Sequence, residues 1–560
     1  MRRMMLSALA LLVMFTAVFA QPEDVSKDIK EVDDRADKPF EQIERENAMR
    51  RLGASGDAAG FEKLVELLND PFVHIRASAQ RILVEAKADP APVLIDKGLG
   101  HKQPEVRRRS ALALGRRNAV DAPKTLRTLL KGDRDEAVRA AAAKALGSIA
   151  AKQGDGWKER DDVLKDLEKA LKKGDASAGA AALELGKLNA PDVADKIAGV
   201  LKAKTPAAVV GACDGLVALH ACADHADDLA KAAGSKDWRV RIAAVQAMCS
   251  VEQIPDEDRY REVLGKALDD KDWRVRRRGI EALVDLWQKL SVELLVARLP
   301  DEDGALALDI VHALEDLTGV RQGYLKEAWT RWYEGTGKDR PLADRKPRPE
   351  NGWLRAPKPG SVEAGGGGAT ASYFDIPVYA QASAFVFDMS GSMRDPVGRD
   401  NPKIRVELAR DELAKTLSDL PENTPFNLLI YRYYSEFPIR TEIQQAFSKG
   451  VQPLTDRNRD AANKWIEGQP AKGWGAFYEG LMAAFSDPEV QVVYFMSDGA
   501  PSRGEYVDRI ELVEALAEAR RFSPVVVHGV LVGGGRRDEE FMKSMAESCG
   551  GTFADARNRK

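Results

Sequence analysis

At 560 residues the chain is longer than one domain, and a length of this size corresponds to about three or four compact units. The hydrophobic share of 44% is ordinary for globular protein, and the net charge of −4 is small for the length. This balance gives no reason to expect nucleic acid or an anionic membrane surface as a partner.

Residues 1–20 have the pattern of a secretory signal peptide. Arg2 and Arg3 make a positive start, residues 4–19 are apolar, and the run ends at Ala20. The apolar run is shorter than the roughly 20 residues that a membrane-spanning helix needs. We therefore expect cleavage after Ala20 and a protein exported to the periplasm, the envelope or the medium. The alternative is an uncleaved anchor helix; no integral membrane span is expected elsewhere.

Residues 21–44 are rich in charged side chains and poor in large apolar ones. A segment of this composition cannot bury enough apolar surface to offset the entropy of ordering. We predict a solvated, charged linker here.

Residues 45–334 repeat a helical pattern. The hexapeptide Lys236–Arg241 recurs letter for letter as Lys271–Arg276, and weaker copies fit 176–188, 207–219 and 305–317. Each copy has an Ala-rich amphipathic helix, a turn and a second helix, and such pairs bury their apolar faces only by stacking into an α-solenoid. The Asp-x-x-Val-Arg step resembles HEAT repeats: Asp caps the helix, Val enters the core and Arg lies on the outer edge. Three aromatic residues are expected to cap the end of the array: Trp329, Trp332 and Tyr333.

Residues 335–376 read as a linker between two domains. Five prolines stiffen its first part, and the four glycines of 365–368 make its second part flexible. We expect the flanking domains to be tethered and to vary in relative orientation.

Residues 377–557 alternate apolar runs with helical stretches. The runs 383–387, 426–434, 491–496 and 525–532 suit parallel strands covered on both faces, and helices are predicted at 403–420, 476–485 and 508–521. The fold class is therefore an all-α solenoid followed by a doubly wound, Rossmann-like α/β domain, in which sites form at the carboxyl ends of strands.

Two predicted strands end in oxygen-bearing side chains. Asp388, Ser390 and Ser392 form an Asp-x-Ser-x-Ser turn, and Asp498 follows a second strand. Such a hard-oxygen set suits Mg²⁺ or Mn²⁺. The segment resembles the metal-ion-dependent adhesion site of von Willebrand factor type A (VWA) domains. The resemblance implies that Ser390 and Ser392 coordinate directly and that Asp388 and Asp498 do so directly or through water. It further implies that an acidic side chain of a partner protein completes the shell.

One position departs from the VWA pattern. The family places a Thr at a helix start in its middle loop, and the alignment puts Gly475 there, with no Ser or Thr near it. One ligand oxygen is then missing. We expect weak binding of Mg²⁺ or Mn²⁺, with water in place of the hydroxyl.

Three functions remain open at this point. The leading one is a non-enzymatic, exported adhesion or assembly scaffold that binds other proteins through the repeats and a partly degenerate metal site. The alternatives are a metal-independent structural scaffold and a metal-dependent hydrolase. His528 is the only histidine in 377–557 and lies inside an apolar run, where a structural role is expected, and Gly-x-Ser-x-Gly and phosphate-binding loops do not occur there.

The four cysteines do not form a disulfide framework, being few for a chain of this length. One bridge and buried free thiols are both compatible with their spacing. The positions are Cys213, Cys222, Cys249 and Cys549.

Overall fold

The computed structural model of the chain describes residues 25–36, 38, 41–347, 349, 371–378, 381–398, 401–434, 440–499, 501–507 and 509–557. The chain forms two compact units, residues 1–122 and 123–560. The expected signal peptide lies outside the described residues. Among the helices that are described, none has both the length and the apolar character needed to cross a bilayer.

The first unit is helical. Helix α1 packs against α2, with Asp28 and Val32 buried, and Nε of Arg51 lies 2.7 Å from Oδ1 of Asp28. The expected solvated arm is thus corrected at 25–34, because Asp28, Ile29 and Val32 share one face of a helix although the overall composition is polar. The helices are α1 Val25–Asp34, α2 Gln42–Ser55, α3 Ala58–Glu66, α4 Val73–Glu85, α5 Ala91–Val93 and α6 Pro104–Arg117.

The second unit begins with helices that alternate between two layers. Each even-numbered helix from α8 to α16 packs against the next even-numbered one, and each odd-numbered helix from α7 to α17 covers the helix that follows it. This is the predicted stack of helix pairs. The helices are α7 Pro123–Gly132, α8 Glu136–Gln153, α9 Arg160–Leu171, α10 Ala176–Lys187, α11 Ala194–Val200, α12 Pro206–Ala218, α13 Ala226–Ala233, α14 Trp238–Met248, α15 Glu257–Leu268, α16 Trp273–Leu286, α17 Lys289–Arg298, α18 Gly304–Thr318 and α19 Lys326–Trp332.

The recurring Asp-x-x-Val-Arg step explains how the helices of the even-numbered layer begin. The Asp237 and Asp272 side chains each accept a backbone N–H two residues on, and the following Val240 and Val275 are buried, as expected. The arginine folds back onto the segment that precedes its helix. In each copy its guanidinium donates to the backbone carbonyl six residues earlier, at 2.6 to 3.0 Å. The residues are Arg76, Arg107, Arg139, Arg241 and Arg276.

The last repeat is covered as the sequence predicts. Trp329 is fully buried and its ring meets that of Trp332 edge-on, with centroids 5.5 Å apart. The chain that follows also lies on the repeats, since Ala343 N donates to Leu317 O at 2.8 Å and Trp287 Nε1 donates to Ala343 O at 3.0 Å. The start of the expected linker is therefore fixed to the array; residues 351–370 lie outside the described part.

The second unit continues as the α/β domain, which we define as the described residues of 371–557. Its strands are β1 Ala371–Tyr373, β2 Ile376–Val378, β3 Ser383–Asp388, β4 Pro396–Gly398, β5 Asn401–Ile404, β6 Pro425–Tyr434, β7 Arg440–Gln445, β8 Gln452–Pro453, β9 Val492–Ser497, β10 Val526–Leu531 and β11 Phe553–Asp555. Its helices are α20 Arg405–Asp419, α21 Asp456–Glu467, α22 Phe477–Ser486, α23 Arg509–Phe522 and α24 Arg536–Ser548.

The main sheet has seven strands in the order β11-β10-β9-β3-β6-β7, with β8 paired to β6. Strands β3, β6, β9, β10 and β11 are parallel, whereas β7 and β8 run antiparallel to β6. The four predicted strands and three predicted helices are all present, which confirms the doubly wound α/β class. The sequence does not indicate strand β7, because its six residues are polar except for one Ile and contain no apolar run.

The α/β domain is in direct contact with the even-numbered layer of repeats. Trp273 Nε1 donates to Pro488 O at 2.7 Å, Arg277 Nη1 donates to Pro524 O at 2.9 Å, and Arg278 Nε donates to Arg521 O at 3.1 Å. Trp238 packs edge-on to Phe522 with ring centroids 6.3 Å apart. These contacts correct the expectation of a loose tether.

Candidate functional site

The candidate site lies at the carboxyl ends of β3 and β9, which are neighbours in the sheet. Asp388 is the last residue of β3, and Asp498 directly follows β9. The strand order reverses between these two strands, and ligands of open α/β sheets bind in the crevice at such a switch point. The sequence therefore placed both carboxylates at the correct edge.

Asp388 is buried and held by three donors. Its Oδ1 accepts the Ser390 N–H at 2.8 Å, and its Oδ2 accepts the Tyr431 hydroxyl at 3.1 Å and the Ser497 hydroxyl at 2.8 Å. Burial, followed by the nearby charge of Asp498, raises the pKa of Asp388 to about 6. A carboxylate desolvated in this way is stabilised by either a proton or a cation.

Ser390 and Ser392 lie on the turn that follows β3. Their Oγ atoms are 3.1 Å apart, with Ser390 buried and Ser392 exposed. Two ligands on adjacent octahedral positions of Mg²⁺, each at its ordinary bond length, are about 3 Å apart. The two hydroxyls are in hydrogen-bond contact with each other, and their spacing is also compatible with a small divalent cation.

Asp498 has a partner that the sequence analysis missed. Nη1 of Arg405, the first residue of α20, lies 2.6 Å from Oδ2 of Asp498 and donates to the Ser392 carbonyl at 3.1 Å. Asp498 therefore already faces a cation in the protein itself. Ninety-three residues separate the pair, and no sequence motif joins them.

The middle loop brings Gly475 beside Asp388. A Cβ atom built on Gly475 would lie 3.5 Å from Oδ2 of Asp388, and 3.8 Å from Oγ of Ser502. The Ser502 hydroxyl accepts the Gly475 N–H at 3.1 Å. The expectation that no Ser or Thr lies near Gly475 is thus wrong in space, because a hydroxyl from the loop after β9 borders the position where the family carries its Thr.

All four predicted ligands, Asp388, Ser390, Ser392 and Asp498, border one edge of the sheet. The described residues contain no cluster of three or more His, Cys, Asp or Glu side chains that could hold a metal. The candidate site differs from such a cluster, since it has two carboxylates and its other donors are hydroxyls. Its oxygen-only chemistry fits Mg²⁺ or Mn²⁺, while the Arg405 contact opposes occupancy at Asp498.

Aromatic and cationic side chains lie beside the site. Trp474, next to Gly475, is 38% exposed, and the Arg503 guanidinium lies 4.8 Å from its ring centroid. The Tyr434 ring is approached by three cations, of which Lys472 is nearest at 4.9 Å. Rings and cations of this kind are enriched at protein interfaces.

His528 lies inside β10 and is buried. Its Nδ1 accepts the Thr552 N–H at 3.1 Å, and its ring stacks on Tyr494 with centroids 5.0 Å apart. Burial lowers the pKa of His528 to about 3. These contacts agree with the structural role expected from the sequence.

The four cysteines are all free and buried. Of the two arrangements that the sequence left open, the structure has the free thiols.

Residues 91–184 and 226–315 match the family model described as HEAT repeats. Among solved structures, the chain is similar to the YibA protein of Escherichia coli at 17% identity, covering 45% of this chain and 91% of that chain with a TM-score of 0.34. It is also similar to an engineered protein at 20% identity, covering 56% of this chain and 98% of that chain with a TM-score of 0.31.

A third solved structure is a von Willebrand factor type A protein from Catenulispora acidiphila, at 13% identity, covering 32% of this chain and 39% of that chain with a TM-score of 0.25. Among curated proteins, none matches the chain significantly. The expected HEAT repeats are confirmed by the family match. Arrays of this kind are typical of proteins that bind other proteins, so the chain is assigned as a protein-interaction scaffold.

Proposed function

We propose that the chain is an exported, non-catalytic adhesion or assembly scaffold whose α/β domain binds a partner protein through a divalent cation. The observation that supports this most is the convergence of Asp388, Ser390 and Ser392 with Asp498 at the switch point of the sheet. Export follows from the signal-like residues 1–20, and the VWA resemblance suggests the mode of binding.

The position of the site suits a docking role. The repeats contact the α/β domain at Pro488 and Pro524, which precede β9 and β10, whereas the candidate site follows the carboxyl ends of β3 and β9. The contact with the repeats therefore lies at the amino ends of the parallel strands, and the candidate site lies at their carboxyl ends. A partner at the site would not compete with the repeats for the α/β domain.

Each side chain has a separate role in this proposal. Ser390 and Ser392 would hold Mg²⁺ or Mn²⁺, Asp388 and Asp498 would balance its charge directly or through water, and Ser502 would offer a further hydroxyl. The bound cation would supply a positive centre for an acidic side chain of the partner. The cationic side chains of Lys472 and Arg503 favour the same acidic surface by charge.

A second candidate, a metal-independent scaffold, is favoured by one observation. The Arg405–Asp498 ion pair already supplies a positive charge at the site, and the side chains are 16% and 9% exposed. In that case the partner's carboxylate would meet an arginine in place of a metal ion.

Partner binding in the presence and absence of metal tests the proposal. The mature chain is used to capture proteins from its native cell envelope with Mg²⁺ or with a chelator, and Asp388→Ala is compared with Asp419→Ala, an exposed carboxylate at the far end of α20. We expect one set of partners to be lost with chelator and with Asp388→Ala, and retained with Asp419→Ala. Capture that is indifferent to metal would favour the second candidate.

A further inference from the structure

Arg405 bridges the two loops that carry the predicted metal ligands. Its Nη1 contacts Oδ2 of Asp498 at 2.6 Å and the Ser392 carbonyl at 3.1 Å, and it lies 3.6 Å from Oδ2 of Asp395. One guanidinium nitrogen thus lies between oxygen atoms of the loop after β3 and the loop after β9. A divalent cation held by Asp498 would have to approach the carboxylate that Arg405 already contacts.

The fold makes room for this guanidinium. A Cβ atom on Gly533 would overlap Nε of Arg405, so a side chain at 533 would collide with it. The backbone N–H of Arg405 also donates to the Asp395 carbonyl at 3.1 Å. The arginine is therefore seated by its surroundings at the start of α20, with its side chain 16% exposed.

The hydrogen bonding of the Arg405 guanidinium is incomplete at one nitrogen. Nε of Arg405 is buried and has no hydrogen-bond partner among the described residues. A buried donor without an acceptor is unfavourable, so the seated state gains less than a fully bonded arginine would. Displacement of the guanidinium is correspondingly easier.

We propose that Arg405 is a built-in cation that competes with the divalent metal for Asp498, so that the Arg405–Asp498 pair and the metal-loaded site exclude each other. Two cations beside one carboxylate repel strongly in a partly buried setting. The inference rests on the metal site of the proposed function and adds to it the residue that limits occupancy. Arg405 then sets the metal concentration at which the site fills.

Binding of Mn²⁺ alone to the full mature chain tests this competition. Calorimetry, with the electron paramagnetic resonance of free Mn²⁺ as a second readout, compares wild type with Arg405→Gln and with Arg509→Gln. Arg509 is the matched control, since its Nη2 pairs with Oδ1 of Asp538 at 2.7 Å and its replacement removes the same charge. We expect Arg405→Gln to bind Mn²⁺ at least tenfold more tightly than wild type, and Arg509→Gln to bind it as wild type does.

The other outcomes separate this inference from the metal site itself. Binding by Arg405→Gln with none by wild type supports the competition. Equal affinities, or weaker binding by Arg405→Gln, overturn the competition and leave the metal site standing. Absence of binding in both chains overturns the two together. Circular dichroism checks folding; if Arg405→Gln does not fold, Arg405→Met, which also removes the charge, takes its place, with the same tighter binding expected and an unchanged affinity counting against the inference.

Discussion

Arg521, near the end of α23, forms a two-point ion pair with Asp214 of α12, with Nη1 of Arg521 2.8 Å from Oδ2 of Asp214. The two residues are 307 positions apart and belong to the α/β domain and to the repeats, respectively. A pair with this geometry has directional hydrogen bonds as well as charge attraction. In this pair two side chains join the two domains, whereas Arg277 and Arg278 of the repeats donate to backbone carbonyls of the α/β domain.

Charge reversal at this pair should loosen the contact. Asp214→Arg places two arginines face to face, and we expect the joint thermal unfolding of repeats and α/β domain to separate or to move to lower temperature. The loss should be about 1 kcal/mol, the upper range for a partly exposed pair. Differential scanning calorimetry measures the transition.

The double variant Asp214→Arg with Arg521→Asp is the control for this prediction. It restores opposite charges in the reverse order and should recover most of the lost stability. No recovery in the double variant would mean that the pair contributes little to the contact.

Restoring the missing hydroxyl should strengthen metal binding. A Cβ on Gly475 fits at ordinary contact distance from Asp388, so Gly475→Thr adds an oxygen near that carboxylate without a collision at Cβ. We expect Mg²⁺ or Mn²⁺ to bind more tightly by about 1 kcal/mol, the size of one ordinary polar interaction. Gly475→Ala, which adds the carbon alone, is the matched control for a calorimetric titration.

Removing the carboxylate at the end of β3 should abolish metal binding. Asp388 faces the site from a buried position, and a divalent ion held by few oxygens cannot readily lose one carboxylate. Titration of Asp388→Ala with Mn²⁺ should show no binding, while the unfolding transition persists. Unchanged affinity would remove Asp388 from the ligand set.

The Ser502 hydroxyl offers a milder test of the same site. Ser502→Ala should weaken Mn²⁺ binding and should also loosen the Gly475 loop, since it deletes the acceptor for the Gly475 N–H. Ser486→Ala, at the far end of α22, removes a hydroxyl that bonds only within its own helix turn among the described contacts and should have no effect. Equal Mn²⁺ affinities for both variants would exclude Ser502 from the site.

His528 should make stability depend on pH. Its folded pKa, about 3, lies below the ordinary value of 6.5, so the unfolded chain takes up a proton that the folded chain refuses. The contribution of neutral, buried His528 to the free energy of unfolding is therefore fully present above pH 6.5. It is lost as pH falls from there toward 3, by at most about 1.4 kcal/mol per pH unit. The free energy of unfolding, measured by urea denaturation between pH 7 and 4.5, should fall less steeply with decreasing pH in His528→Gln than in wild type. An equal pH dependence in the two proteins would contradict the lowered pKa.

Much of the α/β domain could be predicted because continuous apolar runs mark buried parallel strands. Once β3 and β9 were recognised, the meeting of Asp388 with Asp498 followed, since parallel strands end at the same edge. Arg405 and Ser502 could not be found in this way. Each reaches the site from a loop or helix start that is far from its partner in sequence and carries no pattern of its own.

The contact between repeats and α/β domain was missed for a related reason. Proline and glycine after residue 335 indicate a flexible connection, but they say nothing about what the connected surfaces do. The two copies of Lys-Asp-Trp-Arg-Val-Arg did contain an indication of this contact. Each places a tryptophan at a helix start, where stacking of the repeats does not need a large aromatic side chain. The meaning of the two tryptophans depends on Phe522 and Pro488, far away in the chain.

The two identical hexapeptides fix the spacing between two neighbouring repeats of the array. Trp238 and Trp273 stand one repeat apart, 35 residues; Trp238 contacts Phe522 at the end of α23, and Trp273 contacts Pro488 in the loop before β9. Solenoids ordinarily gain or lose whole repeats with little penalty, because each repeat contacts only its neighbours. Here a repeat inserted between the two tryptophans would move one of them out of reach of its partner in the α/β domain. The same holds for the spacing between Asp214 and Trp238, because Asp214 pairs with Arg521, so the segment from Asp214 to Trp273 cannot gain a repeat.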